Sequence, residues 1–150
     1  MFYMSKEVGL FIPTHFENII DGILHLQNHD ELYWTVGKSV NKCHEFSFPI
    51  TGLLYLDKKG DVRCKCKIKD IIPFSKDHYK HICKKPKRWI SDWKKNKDKK
   101  KRKTTLIITK IESFYYKATK LKNHSSKNFQ PSQNCIRIYI PKSAVTNSRI

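Results

Sequence analysis

The chain has 150 residues, 39% of them hydrophobic and 12% aromatic. That is one domain with a modest core, and neither a disordered nor a collagen-like chain. The formal net charge is +18, from 31 lysines and arginines against 13 aspartates and glutamates, a balance that points to a polyanionic partner. No apolar run approaches the roughly 18 residues of a membrane-spanning helix, and the opening MFYMSKEVGLFIP lacks the basic flank and long apolar stretch of a signal peptide.

VGLFIP (Val8–Pro13) is a short apolar run suited to a buried first strand. Thr14 with Glu17 three residues on makes a capping box, so a helix should start there. Phe16, Ile19, Ile20, Ile23 and Leu24 fall on one helical face, and Asn28-His29-Asp30 ends the pattern. ELYWTVG (Glu31–Gly37) and FPITGLLYL (Phe48–Leu56) read as strands. DKKGD (Asp57–Asp61) is a hairpin signal, with Gly60 placed for positive φ. VRCKCKIKDII (Val62–Ile72) alternates, with Val62, Cys64, Cys66 and Ile68 expected on one side and Arg63, Lys65, Lys67 and Lys69 on the other.

Ser75 is placed to cap a short helix through SKDHYKHIC, and Pro86 stands near the first turn of a second helix that carries Trp89 and Trp93. The Lys94–Lys103 run reads as a loop or a frayed helix end. TTLIITKI (Thr104–Ile111) is a strong strand; ESFYYKA either extends it or turns away. Asn123–Gln133 is a polar loop, NCIRIYIP (Asn134–Pro141) a last alternating strand, and residues 142–150 a loose tail. The order β-α-β-β-β-α-α-β-β predicts an α+β fold, a curved mixed sheet or small open barrel with helices packed on it.

The charge is uneven. Residues 1–50 carry three basic and six acidic side chains, a net of −3, which leaves +21 for the remaining hundred. Between Lys84 and Lys103 there are twelve basic residues and two acidic ones. Those twelve, Lys84, Lys85, Lys87, Arg88, Lys94, Lys95, Lys97, Lys99, Lys100, Lys101, Arg102 and Lys103, are the candidate phosphate contacts. Trp89 and Trp93 sit beside them, four residues apart on one helical face. They either stack on a base or anchor the helix to the sheet, and one of them can do each. Trp34, in a strand, is by pattern a core residue. His15 and Asn18 stand at a strand-to-helix junction, where free backbone N–H groups can meet a polar ligand edge.

No catalytic set stands out: G-x-S-x-G, a Walker loop, H-E-x-x-H and G-x-G-x-x-G are all absent from the sequence. Cys64-x-Cys66 and His78-x-x-His81-x-Cys83 lack the spacing of common zinc sites, so neither a metal nor any other cofactor is expected. The five cysteines (Cys43, Cys64, Cys66, Cys83, Cys135) are odd in number and irregularly spaced, which fits reduced thiols in a cytoplasmic protein.

The order of these motifs resembles the PUA-like superfamily, in particular the YTH and EVE domains that read modified bases. The resemblance runs over residues 8–141: FIPTHFEN (Phe11–Asn18), a helix, YWT (Tyr33–Thr35), Asn41, the strands ITGLLYL and VRCKCKIKDI, a second tryptophan at Trp89 or Trp93, then TTLIITKI and CIRIYIP. It implies a small open β-barrel with flanking helices and an aromatic cage around a methylated base. Trp34 and Trp89 (or Trp93) would sandwich the base, and His15 and Asn18 would face its polar edge. Thr35 would meet an exocyclic amine through its backbone, and Asn41 completes the motif.

The expected function is therefore a non-enzymatic nucleic-acid-binding module, DNA or RNA, with no membrane partner. It would stand alone or form part of a restriction or RNA-processing assembly. Rival readings are a general RNA-binding module of the same fold, a small nuclease or nucleoside amidohydrolase like some of the ASCH group, and a subunit whose basic run holds an acidic protein.

Overall fold

The computed structural model describes residues 6–40, 45–56, 61–80, 85–96, 102–117 and 135–141. Six strands, β1 (Lys6–Thr14), β2 (Leu32–Val36), β3 (Ile50–Leu56), β4 (Asp61–Pro73), β5 (Thr104–Lys117) and β6 (Ile136–Pro141), alternate with three helices in the predicted order. The helices are α1 (Phe16–Leu26), α2 (Asp77–Lys80) and α3 (Lys87–Asn96). The strands form one sheet in the order β2-β5-β4-β3-β1-β6. Among the described residues only β1 and β3 pair in parallel; α1 and β2 intervene between them and carry the chain across. The sheet stays open, with β2 and β6 at opposite edges. The hairpin signal at Gly60, the polar loop and the C-terminal tail lie outside the described residues.

The sheet is buried on both faces. One face packs Leu10, Ile12, Leu54, Cys66, Ile68 and Leu106 against Ile19 of α1 and Trp34 of β2. The other gathers Phe11, Leu53, Tyr55, Val62, Phe114 and Ile138. Strict alternation across β4 therefore fails: the β4–β5 register shifts between Val62 and Cys64, Lys67 and Ile68, and Ile68 and Asp70, and Ile71 joins Ile68 in one core. At the first of these slips the extra residue turns Val62 to the face opposite Cys66 and Ile68. Lys65, expected on a cationic outer surface, is 8% exposed and lies over the Phe114 ring within 3.8 Å of a Glu112 oxygen. β5 runs on through the ESFYYK segment, because β4 pairs with it from Thr104 to Lys117.

Two expectations about α1 are corrected. Thr14 does not cap it; Thr14 is held in the strand ladder opposite Leu56, and His15 takes the N-cap position without a side-chain bond. Nor does the apolar stripe all face inward. Ile19 is buried, and Ile23 and Leu26 pack on the core beside it, whereas Phe16 and Leu24 are 60% and 53% exposed and Ile20 is exposed as well. The helix approaches the sheet over Gly22, where an added Cβ would meet the side chains of Ile111 and Leu32. That close approach, set by the smallest residue, decides which side of α1 is turned in.

Gly9 is a second forced glycine: a Cβ there would overlap the Thr51 carbonyl oxygen of β3 and the Ile140 side chain of β6. Gly9→Ala should lower the free energy of unfolding by about 1–3 kcal/mol, as overpacked interiors do. The urea midpoint measures this, and an unchanged midpoint would mean that β1 and β3 move apart there without cost.

Candidate nucleic-acid interface

A cavity of about 520 Å³, counting the space at its mouth, opens beside edge strand β2 where α1 and α3 meet. β2 lends it Trp34 and Thr35, α1 lends Asn18, and α3 lends Trp89 and Trp93. Five of the seven predicted pocket residues thus converge. His15 is exposed and lies outside the lining, and Asn41 lies outside the described residues. Tyr79 of α2 and Asp92 of α3 complete the wall and were not anticipated. Asp92 was accessible to periodicity, since Trp89, Asp92 and Trp93 follow one another at i, i+3, i+4. Tyr79 had no such signal; packing alone brings α2 to the site.

The rings occupy one another. Trp34 is 6% exposed and meets Trp89 edge to face, centroids 5.1 Å apart at 80°. Tyr79 stacks on Trp93 at 4.6 Å and 11°. A base held between Trp34 and Trp89 needs two parallel rings separated by two stacking distances, so that sandwich is absent from this conformation. The Tyr79 hydroxyl lies 2.8 Å from Thr35 Oγ1 and also engages the Arg102 guanidinium, which fastens α2 and the start of β5 to β2.

Lys85 departs furthest from expectation. It was placed among the phosphate contacts, yet it is 4% exposed. Its Nζ donates to the Tyr33 carbonyl at 2.6 Å and lies 4.8 Å and 5.0 Å from the Trp89 and Tyr79 ring centroids. The aromatic faces and one carbonyl replace its water. Burial, and next the nearby Arg102 charge, hold its pKa well below the ordinary 10.5. Arg102 lines the same cavity, and its Nε is buried without an acceptor, as is Trp89 Nε1.

Other predicted cations divide into two groups. Arg88 donates through Nε to Asp21 at 2.6 Å and through Nη2 to Asn18 Oδ1 at 3.2 Å, clamping α3 to α1 at the cavity rim. Lys87, Lys94, Lys95 and Lys103 are exposed. Lys84, Lys97, Lys99, Lys100 and Lys101 lie outside the described residues. Among the described residues no group of three or more His, Cys, Asp or Glu side chains converges as metal ligands do, and no helix is long and apolar enough to cross a membrane.

The position of Lys85 carries a pH signature. The unfolded chain keeps this proton up to about pH 10.5, while the fold releases it earlier. The buried charge therefore costs stability at low pH, and the cost is relieved as pH rises toward 10.5. The stability of the natural chain relative to Lys85→Met should rise between about pH 7 and about pH 10. Urea unfolding of both proteins at each pH reads this, and a constant difference would show that no charge is buried there.

No known family's sequence profile matches the chain, and no curated protein matches it. Among solved structures the chain is similar to the crystal structure of ASCH from Zymomonas mobilis, with a TM-score of 0.56 and 10% identity over 91% of this chain and 90% of that one. A tyrosine-to-phenylalanine variant of that protein gives 0.58 at 10% identity, covering 91% and 93%. A serine-to-alanine variant gives 0.57 at 11% identity, covering 91% of each. At such identity the likeness is one of fold: the chain has a PUA-like α+β fold similar to that of those structures, with an open six-stranded mixed sheet and three helices among the described residues.

Proposed function

We propose that this protein is a non-enzymatic nucleic-acid-binding module that admits one unpaired or flipped base to the cavity beside β2 while exposed lysines hold the phosphate backbone. The observation that carries the reading is the double use of α3. One helix supplies two of the cavity's rings, Trp89 and Trp93, and presents Lys87, Lys94 and Lys95 to solvent beside them. The net charge of +18 supports a polyanion as the partner. The PUA-like fold is compatible with that role. In this division of labour the lysines supply salt-sensitive affinity without sequence preference, and the cavity supplies selectivity.

In its narrower form the seated base is methylated. The order of motifs shared with YTH and EVE domains supports that form. A methyl group buried against tryptophan gains roughly 25 cal/mol for each Å² of apolar surface removed from water. Because Trp34 and Trp89 meet edge on, the base stacks on one ring or parts the pair as it enters; flipping costs a few kcal/mol, least for an unpaired base. Methylated and plain copies of one oligonucleotide, titrated side by side, separate the narrow form from the broad one.

Two outcomes are expected in tryptophan-fluorescence titrations with short single strands. Trp93→Ala, at a half-buried position, should weaken binding by about 1–3 kcal/mol, the worth of one stacked base. The pair Lys94→Gln and Lys95→Gln should weaken all sequences alike and flatten the dependence of log affinity on log salt by about 1 unit or slightly more. Undiminished binding in Trp93→Ala would put the base elsewhere, and an unchanged salt slope would remove α3 from the phosphate contacts.

A further inference from the structure

Three of the polar groups that line the cavity are hydrogen-bond donors, set beside the Asp92 carboxylate, the Asn18 amide and the Thr35–Tyr79 hydroxyl pair. Trp89 Nε1 and Arg102 Nε are both sealed from solvent, and neither has an acceptor. Beside them lies Lys85 Nζ, which donates one hydrogen to the Tyr33 carbonyl and, as amine or as ammonium, keeps at least one more to give. All three side chains line the cavity. Among the described residues no carboxylate forms an ion pair with Lys85 or Arg102. A buried donor without an acceptor is costly, and water does not reach these two. The conformation therefore holds hydrogen-bonding capacity that only an acceptor can use. An acceptor gains access when the rings part, which is the movement a base needs in order to enter.

We propose that the cavity selects a keto base, uracil, thymine or guanine, by receiving its exocyclic carbonyl oxygen at Trp89 Nε1, Arg102 Nε and Lys85 Nζ. The inference rests on the base-binding reading and sharpens it. A nucleotide entering from a strand leads with the edge far from its sugar. That edge carries a carbonyl oxygen in uracil, thymine and guanine, and an amino group in cytosine and adenine. An amino group aimed at three donors leaves hydrogens opposed to hydrogens and satisfies none of them, a mismatch that strongly penalises the wrong ligand in a buried polar site. The leading edge of a keto base also carries a ring N–H. The Thr35–Tyr79 hydroxyl pair on the same wall has oxygen lone pairs to receive it. The aromatic lining favours a ring over a bare oxyanion, which gains nothing from stacking.

The test uses the intact chain and four nucleoside monophosphates, UMP, GMP, CMP and AMP, which share a phosphate and differ in the base. Inorganic phosphate serves as the control, and tryptophan fluorescence as the readout. UMP and GMP should bind about tenfold tighter than CMP and AMP. Trp89→Phe keeps an aromatic ring against Trp34 but loses the N–H together with the indole's second ring, so it should shrink that preference while Trp93-dependent quenching persists. Arg102→Gln, which removes the guanidinium N–H groups, should act in the same direction. Equal affinity for all four, still dependent on Trp93, would overturn the keto preference and leave the base-binding reading intact. Inorganic phosphate binding as well as UMP would overturn it in favour of a simple oxyanion site. Absence of Trp93-dependent binding by every nucleotide would remove the base-binding reading itself.

Discussion

A buried ammonium ties the helical excursion between β4 and β5 to the edge of the sheet. Lys85 reaches under Trp89 and Tyr79 to the Tyr33 carbonyl of β2, and its charge is met by two aromatic faces and one oxygen. The chain cannot move α3 outward without exposing those rings or leaving the ammonium unsolvated. Arg88, through Asp21 and Asn18, fixes the other side of α3 to α1. Between these two cationic fastenings the cavity takes its shape. Its rings, hydroxyl pair and unpartnered donors are consequences of where α3 is held.

The same arrangement explains why the site lies at an edge. Among the described residues β2 is the last strand of the open sheet and pairs only with β5. Its outer margin needs cover, and α2 and α3 provide it with side chains rather than with another strand. Trp34 thus belongs to two environments. It packs on the core with Ile19, Leu32 and Leu106, and it also closes the cavity. The choice between core and pocket posed by the sequence has no exclusive answer for Trp34 or for Trp89, which also packs against that core.

Basic residues that look alike in a run play unlike parts. Arg88 is neutralised by Asp21, Lys85 is buried among rings, and Arg102 faces the cavity with one donor unpartnered. Lys94 and Lys95 remain at the surface. Charge density alone treats these as equivalent, but a cation's role follows from its solvent exposure and from the acid or ring it meets.

Element order was legible in the amino-acid sequence, because apolar alternation, turn residues and Pro86 act over a few residues at a time. The PUA-like architecture followed from that order. The motif resemblance grouped His15, Asn18, Trp34, Thr35, Asn41, Trp89 and Trp93 as an expectation, and Asn18, Trp34, Thr35, Trp89 and Trp93 line one cavity. Tertiary packing decided what local patterns do not encode. The close approach over Gly22 selected which face of α1 turned inward, and the slip between Val62 and Cys64 moved Val62 to the other core. The long β4–β5 pairing carried ESFYYK into the sheet. Burial of Lys85 and arrival of Tyr79 depend on residues 52 and 44 positions away, at Tyr33 and Thr35. Periodicity reports on neighbours in the chain, whereas solvation of a charge is set by whatever the fold brings to it.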